Sequence, residues 1–217
     1  MSELELMVAR LKSTGFLKGQ SVEKAMLAID RALFMSKEYL SLAYSDNAFP
    51  IGYDQTISAP TVVSFMLDKL EVKPGMKILE IGTGSGYNAA LLSYIVGIRG
   101  KVISIELVPE ICALARKNIA KISDTLPNNL TLLCEDGSEG WQKEAPYDII
   151  IITAAMPELR FDIPFIKQLK KDGRLIAPVG NSWNQNLVLY DNKNRTTQRI
   201  LPVMFVPLRG KAGFQNK

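Results

Sequence analysis

Three carboxylates and a run of alternating glycines are the residues of this chain best suited to chemistry. The segment Ile78-Leu79-Glu80-Ile81-Gly82-Thr83-Gly84-Ser85-Gly86-Tyr87-Asn88 starts apolar and ends in small residues. It reads as a buried strand, a tight turn and a helix whose first free N–H groups face a docked ligand. Glu106 ends the next apolar run, 20 residues past Gly86, where a carboxylate can accept both hydroxyls of a ribose. Asp136-Gly137 follows a third such run. Taken singly, Asp-Gly is usually just a turn, and a strand-end carboxylate often only meets solvent. In register after successive strands, however, Glu80, Glu106 and Asp136 fall at the carboxyl edge where open α/β sheets bind ligands.

The chain contains no histidine. That removes Ser-His-Asp and Cys-His catalysis, His-ligated zinc and the usual general base near neutral pH. Cys112 and Cys134 stand 22 residues apart without a Cys-x-x-Cys pair, so neither a disulfide framework nor a thiolate zinc site is expected. No metal is expected. The net charge of +4 and a pI near 9.0 come from dispersed Lys and Arg, read as solvated surface without a nucleic-acid tract. No stretch approaches the ~20 apolar residues that cross a bilayer, and Met1 to Arg10 carries Glu3 and Glu5 instead of a basic cap. A cytoplasmic protein, with neither nucleic acid nor membrane as partner, is the expectation.

The elements that must position these residues follow from periodicity. Leu4, Met7, Val8 and Leu11, then Val22, Met26, Ile29 and Leu33, recur at helical spacing, with Ser21 a candidate N-cap of the second helix. Tyr44 to Ala59 breaks into a long polar loop of the kind that is often functional. A helix then follows Ser58, its candidate N-cap, with Pro60 in the first turn. Beyond Lys73-Pro74-Gly75 the texture alternates: strands at Met76–Ile81, Lys101–Leu107, Leu130–Cys134, Tyr147–Thr153 and Gly173–Val179, and helices at Tyr87–Val96, from Pro109, and at Pro164–Lys170. Four consecutive isoleucines, Ile149 to Ile152, suit a strand covered on both faces. Leu187–Tyr190 and Ile200–Val206 are expected strands around a turn at Asn192–Arg195, which forces an antiparallel pair. The fold class is α/β: a doubly wound, mostly parallel sheet with a helical N-terminal cover and an antiparallel strand near the C-terminal edge. One domain over 1–217 is expected, with 1–57 as cover and substrate loop and 58–217 as core.

The glycines at 82, 84 and 86 do not make the dinucleotide fingerprint, which would place its third glycine at Tyr87. Their spacing, with Glu80 ahead of them, resembles motif I of class I methyltransferases. That resemblance implies S-adenosyl-L-methionine (AdoMet), becoming S-adenosyl-L-homocysteine (AdoHcy), held by Glu80, Gly82, Thr83, Gly84, Ser85, Gly86, Glu106, Leu107, Asp136 and Gly137. Asp136 would meet the adenine amino group, and a carboxylate beside the cationic sulfonium and ammonium is favourable. Further segments resemble the protein-L-isoaspartate O-methyltransferase family: Ala43-Tyr44-Ser45-Asp46, Pro50-Ile51-Gly52, Gln55-Thr56-Ile57-Ser58-Ala59-Pro60, Pro146-Tyr147-Asp148-Ile149-Ile150, Thr153-Ala154-Ala155, Gly173-Arg174-Leu175-Ile176-Ala177-Pro178-Val179-Gly180 and Phe205-Val206-Pro207-Leu208.

The resemblance implies methylation of the free α-carboxylate of L-isoaspartyl residues in aged proteins and peptides. The ester then closes to a succinimide, whose hydrolysis returns some normal aspartate. Ser58 would be the active-site hydroxyl, an orienter with Thr56 beside it. An ionised carboxylate needs no general base, which agrees with the absent histidine. Tyr53, Asp54 and Thr61 depart from the family pattern and bear on substrate contacts. The sequence sets no oligomeric state. Rival readings are a methyltransferase for RNA or a small metabolite, a silent AdoMet-binding adaptor and, weakest, a nicotinamide dehydrogenase.

Overall fold

The structure is a computed structural model that describes residues 1–214; the last three residues of the expected 1–217 domain lie outside the described residues. Helix α1 (Glu3–Ser13) is closed by a reciprocal capping box between Ser2 and Glu5 and buries Met7, Val8 and Leu11. Helix α2 (Gln20–Ala28) follows. Its N-cap is Gly19, not Ser21, and no side chain of its own closes it. The Asp68 carboxylate instead accepts the Lys18 and Gly19 N–H groups, a distant anion at a helix start. The helical spacing ran on to Leu33, yet α2 ends at Ala28, and Arg31–Phe34 forms a separate 3-10 turn capped by Asp30. A second 3-10 segment spans Lys37–Leu42.

The expected loop from Tyr44 to Ala59 contains a hairpin, β1 (Phe49–Gly52) and β2 (Gln55–Ile57). Its turn places Tyr53 and Asp54 at φ 51° and 57°, a conformation usually given to Gly or Asn, so those two residues hide the turn from sequence inspection. Helix α3 (Pro60–Leu70) has Ala59 as N-cap without a side-chain cap bond. The Ser58 hydroxyl is therefore not spent on capping, contrary to the expectation.

The sheet begins with β3 (Lys77–Ile81), α4 (Tyr87–Val96), β4 (Lys101–Glu106), α5 (Pro109–Ala120) and β5 (Leu130–Cys134). It continues with β6 (Tyr147–Ile152), α6 (Pro164–Lys167), β7 (Leu169–Gly180), β8 (Gln185–Asp191) and β9 (Thr196–Val203). The strand order is β5-β4-β3-β6-β7-β8-β9, parallel from β5 to β7 and antiparallel through β8 and β9. Ile149 to Ile152 are all buried, and covering each side chain is worth ~1.5–3 kcal/mol. Helix α6 is shorter than the expected Pro164–Lys170 because β7 starts four residues before Gly173; Leu169 pairs with Tyr147. β9 likewise begins at Thr196 and ends at Val203, leaving Met204–Val206 outside it. Among the described residues no helix is long and apolar enough to cross a membrane.

One exclusion is overturned. Cys112 and Cys134 form a disulfide, with Cα atoms 5.9 Å apart. Cys112 lies in the first turns of α5 and Cys134 ends β5. Packing that helix on its neighbouring strand joins two cysteines that stand 22 positions apart in sequence.

Candidate active site

The sheet reverses its winding between β3 and β6, and a cleft opens at that switch point above the carboxyl ends of the strands. It holds about 990 Å³, open mouth included. Gly82, Thr83, Gly84, Ser85, Glu106, Leu107 and Gly137 line it, together with Thr56 and Ser58. The hairpin lies on the glycine turn: Ile51 and the Thr56 carbonyl stand 3.8 Å from where a Cβ at position 84 would be. Strand ends and the N-terminal hairpin thus converge on one cavity.

Glu106 is buried, and its carboxylate accepts N–H bonds from Gly84 at 2.9 Å and Val108 at 3.1 Å. It fixes the glycine turn against the end of β4. Glu80 lies beneath the turn instead of on the cleft wall. It is fully buried, and Asn88 Nδ2 and Ser104 Oγ donate to it. Ser104 in turn bonds Thr83, so Glu80 reaches the cleft through Asn88 and Thr83, both of which line it. Burial pushes the Glu80 carboxyl up to about 7, with the Glu106 charge adding to the rise and the Ser104 and Asn88 bonds opposing it.

That displacement has a sign. The folded state keeps the Glu80 proton between its ordinary 4.5 and about 7, while the unfolded chain has already lost it. The contribution is full below pH 4.5 and disappears as pH rises through 7. Urea unfolding of the protein and of Glu80→Gln should show the difference in midpoint moving against the glutamate across that window. A constant difference from pH 4.5 to 7 refutes the buried-proton account.

Asp136 does not line the cleft among the described residues. Its carboxylate accepts the Ser138 and Lys211 N–H groups, both at 2.8 Å, which hold it below its ordinary range despite partial burial. Ser138 Oγ accepts the Ala212 N–H. Asp136 therefore pins the loop carrying Gly137 and Ser138 to the segment after β9, whose residues 205–209 wall the cleft. Gly86 is the N-cap of α4 and sits behind the turn, beside Ala115 and Ile119. Sequence reasoning missed Asn88, Ser138 and Arg209 as cleft residues. Asn88 shares the glycine-turn segment with Glu80 and was the legible one; Arg209 just follows the last family-like segment.

The departures from the family pattern have definite places. Tyr53 and Asp54 form the exposed hairpin tip, with Asp54 4.0 Å from the Arg209 guanidinium across the mouth. The Thr61 N–H and hydroxyl both donate to Asp46, which ties the loop to the start of α3.

Comparison with known proteins bears on the fold and the family. The family model described as protein-L-isoaspartate(D-aspartate) O-methyltransferase matches residues 2–213. A protein-L-isoaspartate O-methyltransferase of Methanococcoides burtonii is 43% identical over 210 residues, 96% of this chain and 100% of that protein. A solved structure of a protein-L-isoaspartate O-methyltransferase superposes with TM-score 0.83 at 31% identity; 96% of this chain covers 66% of that longer one. A putative member from Plasmodium falciparum, solved with S-adenosyl-L-homocysteine, shares the fold with TM-score 0.85 at 24% identity, covering 96% and 99% of the two chains.

Proposed function

The chain belongs to the protein-L-isoaspartate(D-aspartate) O-methyltransferase family, and from that premise we propose that it uses AdoMet to methylate the free α-carboxylate of L-isoaspartyl residues in damaged proteins and peptides. The observation that carries this reading is the meeting of Thr56 and Ser58 with the glycine turn and Glu106 in one cleft. Of the expected residues, Gly82 to Ser85, Glu106, Leu107 and Gly137 line the cleft and suit AdoMet. Glu106 and the backbone around Gly82–Gly84 suit a ribose and the amino-acid end, and Gly137 and Ser138 suit a flat base. The buried Glu80 holds the side-chain amide of Asn88, a residue of the cleft wall. When bound, AdoMet supplies a methyl carbon made electrophilic by its sulfonium.

The chain's own residues supply position. An α-carboxylate with a pKa of about 3.5 is already anionic at neutral pH, so no base has to be provided. Thr56 and Ser58 offer hydroxyls that hold this anion against the glycine turn. Ile57, Val63, Met66, Phe205, Val206 and Leu208 give the cleft apolar walls, which limit water and strengthen those bonds. Alignment of two reactants contributes several kcal/mol without any covalent intermediate. Isoaspartyl proteins are the partners of this reading, the cytoplasm its place, and the whole chain its single domain; nucleic acid and membrane have no part in it. The RNA or small-metabolite alternative is not favoured by a family match over residues 2–213.

The test is incorporation of base-labile label from radioactive AdoMet into an isoaspartyl peptide and its aspartyl twin. Label should enter only the former; equal label in both overturns the proposal. Ser58→Ala should lower turnover about tenfold to a hundredfold, the worth of one hydrogen bond to a charge, with AdoHcy affinity little changed. Full turnover in Ser58→Ala would remove the hydroxyl from the mechanism.

A further inference from the structure

Arg31, in the 3-10 turn of the N-terminal cover, is among the largest side chains with no solvent exposure at all. A buried guanidinium normally meets a carboxylate. None lies within ion-pair distance of Arg31 among the described residues. Its Nη1 donates to the Ala43 carbonyl, and its Nη2 to the carbonyls of Asn47 and Ser58, both at 3.1 Å. Its Cζ lies 5.8 Å from the centre of the Phe49 ring, and Phe49 stands opposite Ile57 in the hairpin. Burial lowers its pKa to about 10, which still leaves a full positive charge at neutral pH.

One cation therefore gathers three carbonyls from 16 residues of loop, and the last belongs to Ser58, a residue that lines the cleft. Without those bonds the Ala43 carbonyl would be buried and unsatisfied, a cost of ~1–3 kcal/mol, and the carbonyls of Asn47 and Ser58 would lose their common anchor. The loop has little regular structure between Ala43 and Phe49, so these bonds, with Asp46 on Thr61, fix where the Ser58 backbone sits. Lysine would not serve equally. It puts one nitrogen where arginine puts a planar fork, and Ala43 lies on a different prong from Asn47 and Ser58.

We propose that Arg31 is a positioning residue for methyl transfer, holding Ser58 by its carbonyl so that the Ser58 hydroxyl meets the acceptor carboxylate. It acts through Ser58 and touches neither substrate nor AdoMet. This rests on the function proposed above, so the test includes a readout that needs no turnover.

Arg31→Lys and Arg31→Met are compared with the parent protein, alone and combined with Ser58→Ala. For each single variant kcat on an isoaspartyl peptide should fall about 10- to 30-fold, while the calorimetric Kd for AdoHcy stays within about threefold. Lysine should lose less than methionine. Adding Ser58→Ala to Arg31→Met should cost less than about a further threefold, because coupled residues do not add. Amide hydrogen exchange of residues 43–58 should quicken in both Arg31 variants, with the exchange of β3 and β4 unchanged. Losses that multiply in the double variant overturn the proposal, as does equal damage to AdoHcy affinity. If Arg31→Met does not fold, Arg31→Lys is read in the same cycle; if neither folds, Arg31 is a folding clamp and the proposal fails. Absence of methylation by the parent protein would defeat the function, while unchanged exchange at 43–58 would defeat this inference on its own.

Discussion

Gly82→Ala is expected to lose AdoHcy binding by at least about a hundredfold, nearly 3 kcal/mol. Gly82 follows the last residue of β3 at φ +94°, a region that costs a side-chain-bearing residue ~1–3 kcal/mol. The added Cβ would also collide with Thr153 Oγ1. That hydroxyl is not free to step aside, since it donates to the carbonyls of Ile81 and Gly82 and joins the tips of β3 and β6. The methyl group therefore either swings Thr153 into the cleft or lifts the glycine turn off it. Both outcomes disturb the Gly84 N–H that Glu106 holds. Gly75→Ala is the matched control. Gly75 has φ +83° and open space where its Cβ would go, so it carries the backbone strain without the collision. Calorimetry should show near-parental AdoHcy affinity for Gly75→Ala and a severe loss for Gly82→Ala. Equal affinity in the two variants would mean that the cradle tolerates a methyl group, and the close-approach argument would fail.

The contrast between these glycines shows what could be read from sequence. Alternating apolar runs gave the parallel core because a strand covered on both faces has to be apolar throughout, as Ile149 to Ile152 are. Glu106 was legible because a strand-end carboxylate following a glycine turn has a recurrent purpose. Asp136 was legible only as a position. Its bond to Lys211 joins segments 75 residues apart, and no local pattern encodes such a pairing. The hairpin at Phe49–Ile57 was hidden by Tyr53 and Asp54, which take positive φ without the usual glycine. Arg31 was invisible as well, since an arginine at a helical spacing reads as surface until the fold shows three carbonyls converging on it.

The disulfide is the other place where the fold brings together what the sequence separates, and it leads to the second large effect. Cys112 is buried, whereas Cys134 is exposed at the end of β5, so a small thiol can reach the bond from the Cys134 side. Closing a loop over 22 residues restricts the unfolded chain and is worth about 3 kcal/mol. For a chain of this size that corresponds to a fall in Tm of roughly 6–12 °C on reduction. Cys112→Ser should show the same fall without reductant and no further change with it. The cleft should suffer less than the fold. Cys134 pairs with Glu106 through the parallel ladder of β4 and β5, and those backbone bonds do not depend on the sulfur bridge. AdoHcy affinity measured well below the reduced protein's Tm should therefore stay within about threefold of the oxidised value, since the ladder alone keeps Glu106 in register. Identical melting with and without reductant would show that the bridge contributes nothing. A large loss of affinity at unchanged Tm would show instead that it holds the cleft rather than the chain.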